Sequence, residues 1–246
     1  MGIASHRPAP FAPGTRLSDH YLVEGLVRLS EGRMFYLAND DRPDQAKRRC
    51  WNCGSDDTDR AAHICSSCGQ TMETRRFLVS ARWNADGFES YTQFYDRGLT
   101  HPGLAQPLDV FFQDGVLCSV THWKGEGLLL DEGSPLPLER VMNIAQRTTG
   151  VIAFLQTQGI QLESIRLANF LVREDDEIVL FDLDIAKIVD QPLSAIDRRQ
   201  ELVSIGHILR RFTPVTAIGL TDFFSSAEAG KFGSPLEFGR AMEPYL

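Results

Sequence analysis

Two rhythms of apolar and polar positions run along the chain. Tyr21 to Asn39, Y-L-V-E-G-L-V-R-L-S-E-G-R-M-F-Y-L-A-N, reads as a hairpin. It has an apolar strand, a polar turn around Ser30–Arg33 and a second strand from Met34 to Ala38. Arg76 to Trp83, R-F-L-V-S-A-R-W, is a further strand, and two more follow, Ala105 to Phe112 and Val116 to Trp123, around the turn Gln113-Asp114-Gly115. Cys118 lies in the last of these and reads as a small buried hydrophobe. Gly87 to Leu99 changes rhythm: Phe88, Tyr91, Phe94 and Tyr95 recur at roughly helical spacing, a stripe that reads as core. Pro137 to Gly159 is the clearest amphipathic helix, with Leu138, Val141, Ile144, Val151, Ile152 and Leu155 at the 3.6-residue period. Glu201 to Phe212 predicts a second helix.

Between the two long helices lies Q-L-E-S-I-R-L-A-N-F-L-V-R-E-D-D-E-I-V-L-F-D-L-D-I-A-K-I-V, Gln161 to Val189. It predicts a strand at Phe170 to Val172, an acid-rich turn at Glu174–Glu177 and a strand from Ile178 to Phe181. Asn169 then stands just before one strand and Asp182 just after the other, so the two side chains can approach. Two oxygen-bearing groups at a hairpin mouth can hold a divalent cation. They serve equally well as a turn-starter and a strand-end cap.

Composition sharpens this picture. At 246 residues the chain can bury one large core or two small ones, and no apolar run approaches the roughly 20 residues of a membrane span. The opening residues 1–17 are proline-rich, lack the apolar centre of a signal peptide and read as a flexible lead. A net charge of −8 argues against a surface given over to nucleic acid. Four of the five cysteines form two C-x-x-C pairs, Cys50/Cys53 and Cys65/Cys68, in C-W-N-C-G and C-S-S-C-G. That spacing is the pattern of a tetrahedral zinc site made of four cysteines, and four protein ligands make it structural rather than catalytic. Gly54 and Gly69 follow the pairs, where positive φ turns backbone amides toward the thiolates. His63 is nearby but redundant as a ligand. A pair of disulfides is the alternative, which the expected reducing, cytoplasmic setting disfavours. Lys47, Arg48, Arg49, Arg75 and Arg76 flank the segment, interrupted by Asp56, Asp57 and Asp59. Only Trp51 offers a stacking face, so protein contact or a solvated rim is preferred over nucleic acid.

The stretch around Asn169 resembles the catalytic segment of protein kinases, H-R-D-x-x-x-x-N followed by D-F-G. L-E-S-I-R-L-A-N-F-L-V lies over H-R-D-I-K-P-E-N-I-L-V, and F-D-L-D-I-A over I-D-F-G-I-A. Asn169 and Asp182 match the two magnesium ligands. Ser164 stands at the catalytic Asp position, Glu163 at the Arg and Leu162 at the His, while Asp184 replaces the glycine of D-F-G. Elsewhere Y-L-V-E-G-L-V-R-L-S-E-G-R-M-F-Y-L-A resembles the strands that carry the family's G-x-G-x-x-G turn. The three glycine positions there are Arg28, Ser30 and Arg33, with Gly32 one place out of register. For both arginines a solvated role is preferred over a phosphate contact. Arg82 falls where the phosphate-gripping Lys would be, and its partner on the next helix is either Glu89 or Gln93. L-T-H-P-G-L resembles the H-P-N-I turn, with His101 structural, and V-T-H-W-K-G-E-G-L resembles the inter-lobe hinge. Glu201 matches the acid that braces the catalytic loop. Val189 to Arg198 stands for a short activation loop without A-P-E, and the later helices are compressed to about Leu220–Ser226.

The resemblance implies an α+β, two-lobed kinase-like fold. It consists of a β-rich N-lobe at 18–123 with a zinc ribbon inserted at 42–74, and a shortened helical C-lobe at 124–246. Ser164 cannot accept a hydroxyl proton near neutral pH, which predicts a catalytically inactive pseudokinase acting as a regulatory or scaffolding module for a protein partner. The alternative is an atypical kinase or nucleotide-binding switch, with Mg-ATP held by Arg82, Asn169 and Asp182. A third reading is nucleic-acid binding through the ribbon. No membrane association is expected.

Overall fold

Tyr21 and Val23 point inward along the first long strand, and Met34, Tyr36 and Ala38 join the same core from the strand beside it. The computed structural model describes residues 11–245, apart from 31, 41–46, 49, 51–52, 56, 60–61, 63, 72–75, 84–87, 106, 124–126, 130–132, 163–164, 174–176, 183–185 and 190–192. The chain is of mixed α+β class and forms two compact units, one from residues 1–85 and 108–124, the other from 86–107 and 125–246.

The first unit contains β1 (Arg16–Leu17), β2 (Tyr21–Ser30), β3 (Arg33–Asp40), β4 (Lys47–Arg48), β5 (Thr58–Asp59), β6 (Arg76–Trp83), β7 (Asp109–Gln113) and β8 (Val116–Trp123). Six of them make an antiparallel sheet in the order β1-β2-β3-β6-β8-β7. The register stacks the inward residues in rows. Tyr36 pairs with Val79 and Val79 with Val120, while Met34 pairs with Ala81 and Ala81 with Cys118. These residues, with Leu17, Tyr21, Val23, Ala38, Phe77 and Val116, form one buried core, as the two-residue period of a strand requires. Cys118 is fully buried, as its alternating context implies.

The sheet curls until its ends meet. The Gln113 side chain on β7 accepts the Ser18 N–H at 3.0 Å and donates to the Arg16 carbonyl at 3.1 Å. Inside this closure the Tyr21 ring stacks on Phe111 at 6.2 Å and meets the Phe77 edge at 5.3 Å. β7 and β8 join through Asp114 and Gly115, both at positive φ (51° and 76°), the conformation that two-residue hairpins favour.

Two expectations need correction in this unit. The strand predicted from Ala105 begins only at Asp109, because Pro107 has no N–H to donate and Ala105 donates instead to the Leu180 carbonyl of the second unit's own sheet. Arg33, expected in solvent, is fully buried at the start of β3, whereas Arg28 is exposed. Arg33 pairs directly with Ser30 on β2 and with Arg82 on β6, so it has a strand on either side.

The second unit contains α1 (Phe88–Asp96), β9 (Gly127–Leu128), α2 (Leu138–Thr157), β10 (Ile160–Leu162), β11 (Phe170–Val172), β12 (Ile178–Leu180), β13 (Ala186–Ile188), α3 (Ala195–Phe212), α4 (Ile218–Glu228) and α5 (Pro235–Met242). α2 buries Val141, Ile144, Val151, Ile152 and Leu155 as its period predicts. Leu138, assigned to the same face, is 44% exposed because it sits in the first turn, beyond the packing partners of the rest. Phe94 of α1 is buried, in keeping with a core stripe. The turn at His101 presses close to α2. A Cβ on Gly103 would lie 2.7 Å from Val151 Cγ2. His101 stacks on Phe154 at 5.0 Å, and its Nδ1 accepts the Gly103 N–H at 3.1 Å, so its role is structural.

α3 begins six residues before the predicted start. Ser194 caps it, accepting from the Asp197 N–H while Asp197 reaches back to the Ser194 N–H, a reciprocal pair that satisfies otherwise orphaned donors. Part of the stretch expected as a loop is therefore helix. α4 is likewise longer than Leu220–Ser226. No helix among the described residues is long and apolar enough to cross a membrane.

Candidate functional site

β3 and β6 pair directly, and Asn39 faces Arg76. The chain between them therefore leaves and re-enters the sheet at adjacent points. Within it, β4 and β5 pair antiparallel, Lys47 facing Asp59 and Arg48 facing Thr58, and each C-x-x-C-G forms a tight knuckle. The two knuckles repeat one hydrogen-bond pattern. Cys50 N–H donates to the Ser55 carbonyl and Gly54 N–H to the Cys50 carbonyl, at 2.7 and 2.9 Å. Cys65 N–H donates to the Gln70 carbonyl and Gly69 N–H to the Cys65 carbonyl, at 2.8 and 2.9 Å. Gly54 and Gly69 take φ of 73° and 72°, the left-handed conformation that closes such a loop.

The knuckles bring all four sulfurs within 4.8 Å of one another. Cys50 Sγ lies 3.7 Å from Cys68 Sγ, and Cys53 Sγ lies 3.8 Å from Cys65 Sγ. A disulfide needs about 2.05 Å, so these are separate thiols. A regular tetrahedron with Zn–S bonds of about 2.3 Å has S···S edges of about 3.8 Å, the same separation. The donor set therefore fits a tetrahedral, thiolate-preferring ion, and the four cysteines can hold a metal consistent with structural zinc. No other group of three or more His, Cys, Asp or Glu side chains gathers this way among the described residues. His63 lies outside them.

The thiols do not release protons alike in the metal-free set. The Thr58 hydroxyl, hydrogen-bonded to Cys65 Sγ, is the main influence lowering the Cys65 thiol to about 6. A hydrogen bond from the Ser55 backbone pulls Cys53 down, but desolvation and hydrogen bonds with Cys68, Cys50 and Cys65 outweigh it and push Cys53 up to about 12. A metal ion would have to displace that last proton, which makes binding weaken in acid. Thr58 was not singled out by sequence. It sits in an Asp-rich run that reads as surface, yet it is fully buried.

The second candidate site lies in the hairpin of β11 and β12, paired Phe170 to Leu180 and Val172 to Ile178. Asn169 and Asp182 come together at its mouth. Asn169 Nδ2 donates to the Asp182 carbonyl at 2.9 Å and, more weakly, to the Phe181 carbonyl at 3.3 Å. Asn169 Oδ1 accepts the Arg166 N–H at 3.0 Å. The residue is fully buried, and both ends of its amide serve backbone. Asp182 is 5% exposed, with φ of +50°. At the other end of the hairpin, Arg147 and Arg173 hold Glu177 at 3.0 and 3.2 Å.

Glu201 on α3 supports the loop before Asn169. Its Oε1 accepts the Leu162 N–H at 2.6 Å, and its Oε2 accepts from Gln156 Nε2 at 2.5 Å. Burial pushes its carboxyl up to about 7, against those two hydrogen bonds. Arg82 belongs to the first unit, half-buried on β6 between Arg33 and Leu117. Ser164 and Glu163, and Asp184, lie outside the described residues, as does the side chain of Glu89. Gln93 is exposed on α1. No protein-family model matches the chain, and no curated protein is significantly similar to it in sequence.

Proposed function

We propose that the chain is a degenerate protein-kinase-like, two-lobed domain. In this reading it acts as a regulatory or scaffolding module for a protein partner, with a structural zinc ion held by Cys50, Cys53, Cys65 and Cys68. The observation that carries the inactive reading is the use of Asn169. This amide is fully buried and is already committed to backbone, its oxygen accepting the Arg166 N–H and its nitrogen donating to the Asp182 carbonyl, so it braces the hairpin rather than facing an incoming ion. Ser in place of a carboxylate at position 164 supports the same conclusion, since a hydroxyl is no base near neutral pH. The brace from Glu201 to the Leu162 N–H favours the kinase-like reading of the segment.

The test is a calorimetric titration of the zinc-loaded protein with ATP, with and without Mg²⁺, alongside a phosphotransfer assay. The expected result is no magnesium-dependent binding at millimolar nucleotide and no transfer. Transfer that disappears in Asp182→Ala would overturn it.

One observation favours a second reading, a nucleotide-binding switch using Asn169 and Asp182. Asp182 is buried in the left-handed region that non-glycine residues rarely occupy, a kind of strain that concentrates at functional sites. Magnesium-dependent ATP binding without transfer would select that reading. Nucleic-acid binding through the ribbon has less support, because Lys47 faces Asp59 across the β4–β5 pair.

A further inference from the structure

Thr58 touches the second knuckle at three points. Its Oγ1 lies 3.3 Å from Cys65 Sγ as a donor, accepts the Ser66 N–H at 3.2 Å, and lies 3.3 Å from Ser66 Oγ. The side chain is fully buried. A hydroxyl has one proton and two lone pairs. With the Ser66 N–H on one lone pair, the proton is directed to sulfur, where a thiolate is the better acceptor for it. Cys65 also receives the Ser67 N–H at 3.4 Å. Thr58 reaches this place through its backbone, because β5 pairs with β4 and sets Thr58 opposite Arg48.

We propose that Thr58 is a positioning residue for the metal centre. Its hydroxyl fixes the Cys65 sulfur and withdraws charge from it, and so links the β4–β5 ribbon to the ion. This rests on the four-cysteine zinc reading above. Four thiolates around a divalent ion carry a net charge of about −2, and groups that donate to ligand sulfur stabilise that charge. The outer partner of a metal ligand commonly governs about 10- to 100-fold in affinity. Valine matches threonine in shape and lacks only the hydroxyl, so the pair separates hydrogen bonding from packing.

The experiment compares the full chain with Thr58→Val and Thr58→Ser. Zinc affinity is measured by competition with a chromophoric chelator, and the thiolate-to-cobalt charge-transfer band is recorded after Co²⁺ replacement. Thr58→Val is expected to lose about 10- to 100-fold in zinc affinity and to shift the cobalt band to longer wavelength, since an unbonded thiolate gives up charge more easily. Thr58→Ser should stay close to the native protein in both. Unchanged affinity and band in Thr58→Val, or equal losses in both variants, would overturn the role of the hydroxyl. A native chain that takes up neither ion would overturn the four-cysteine reading itself, a result distinct from the first two.

Discussion

Single side chains carry the sharpest chemistry in this protein, and the buried Glu201 ties its stability to pH. Its carboxyl rises from 4.5 to about 7 through burial, so the native state holds a proton that the unfolded chain releases. The associated stability is fully present below about pH 4.5 and declines as pH rises through 7, by about 3 kcal/mol in all. His101 acts in the opposite sense. Burial lowers its pKa, so its contribution is present above the ordinary histidine value and is lost as pH falls. Comparing the native protein with Glu201→Gln isolates the first effect. Urea unfolding from pH 5 to 8 should show the native chain losing stability relative to the variant, and parallel curves would contradict this. A second prediction concerns the ligands. Cys53→Ser or Cys68→Ser should lower bound zinc from about one ion per chain to near none, measured by elemental analysis of the dialysed protein. The ligand set was legible because C-x-x-C-G is wholly local: the spacing, the thiols and the glycine conformation all lie within five residues. Thr58 and Arg33 were not, because their burial comes from strand partners that no local pattern names.

Elements follow the same division between local and distant causes. The β2–β3 hairpin, β6, β8, α2 and the β11–β12 hairpin coincide closely with their hydrophobic patterns. The early start of α3 had a local signal too, the Ser194-to-Asp197 capping box, which the expectation of a loop overrode. Removing the cap with Ser194→Ala should cost about 1 kcal/mol in thermal or urea unfolding. An unaffected midpoint would mean that the first turn contributes nothing. The ribbon makes a stronger prediction. Asn39 and Arg76 are cross-strand neighbours, and Cys50 and Cys65 form a buried cluster apart from the sheet core. Replacing residues 41–74 with a two-residue Asn-Gly turn should therefore leave the six-stranded sheet folded, with a cooperative unfolding transition. Zinc chelation of the intact protein should likewise disorder the knuckles first. Loss of the sheet's cooperative transition on excision would show that the ribbon is needed for it.

At the scale of the whole molecule, the chain threads its two units discontinuously. Residues 86–107 belong to the second unit and interrupt the first, which is completed only by 108–124. Sequence patterns did not foreshadow this, because α1 packs with β13, about ninety positions further on, and period and spacing are silent at that range. The consequence appears during synthesis on the ribosome. When β6 emerges it has β3 on one side, but the strand that covers its other edge, β8, lies beyond the whole interrupting segment. The latch between Gln113 and the Ser18 turn also forms only then. Until Trp123 has cleared the exit tunnel, the nascent first unit displays an open apolar edge, the state in which chaperone capture and off-pathway association compete with folding.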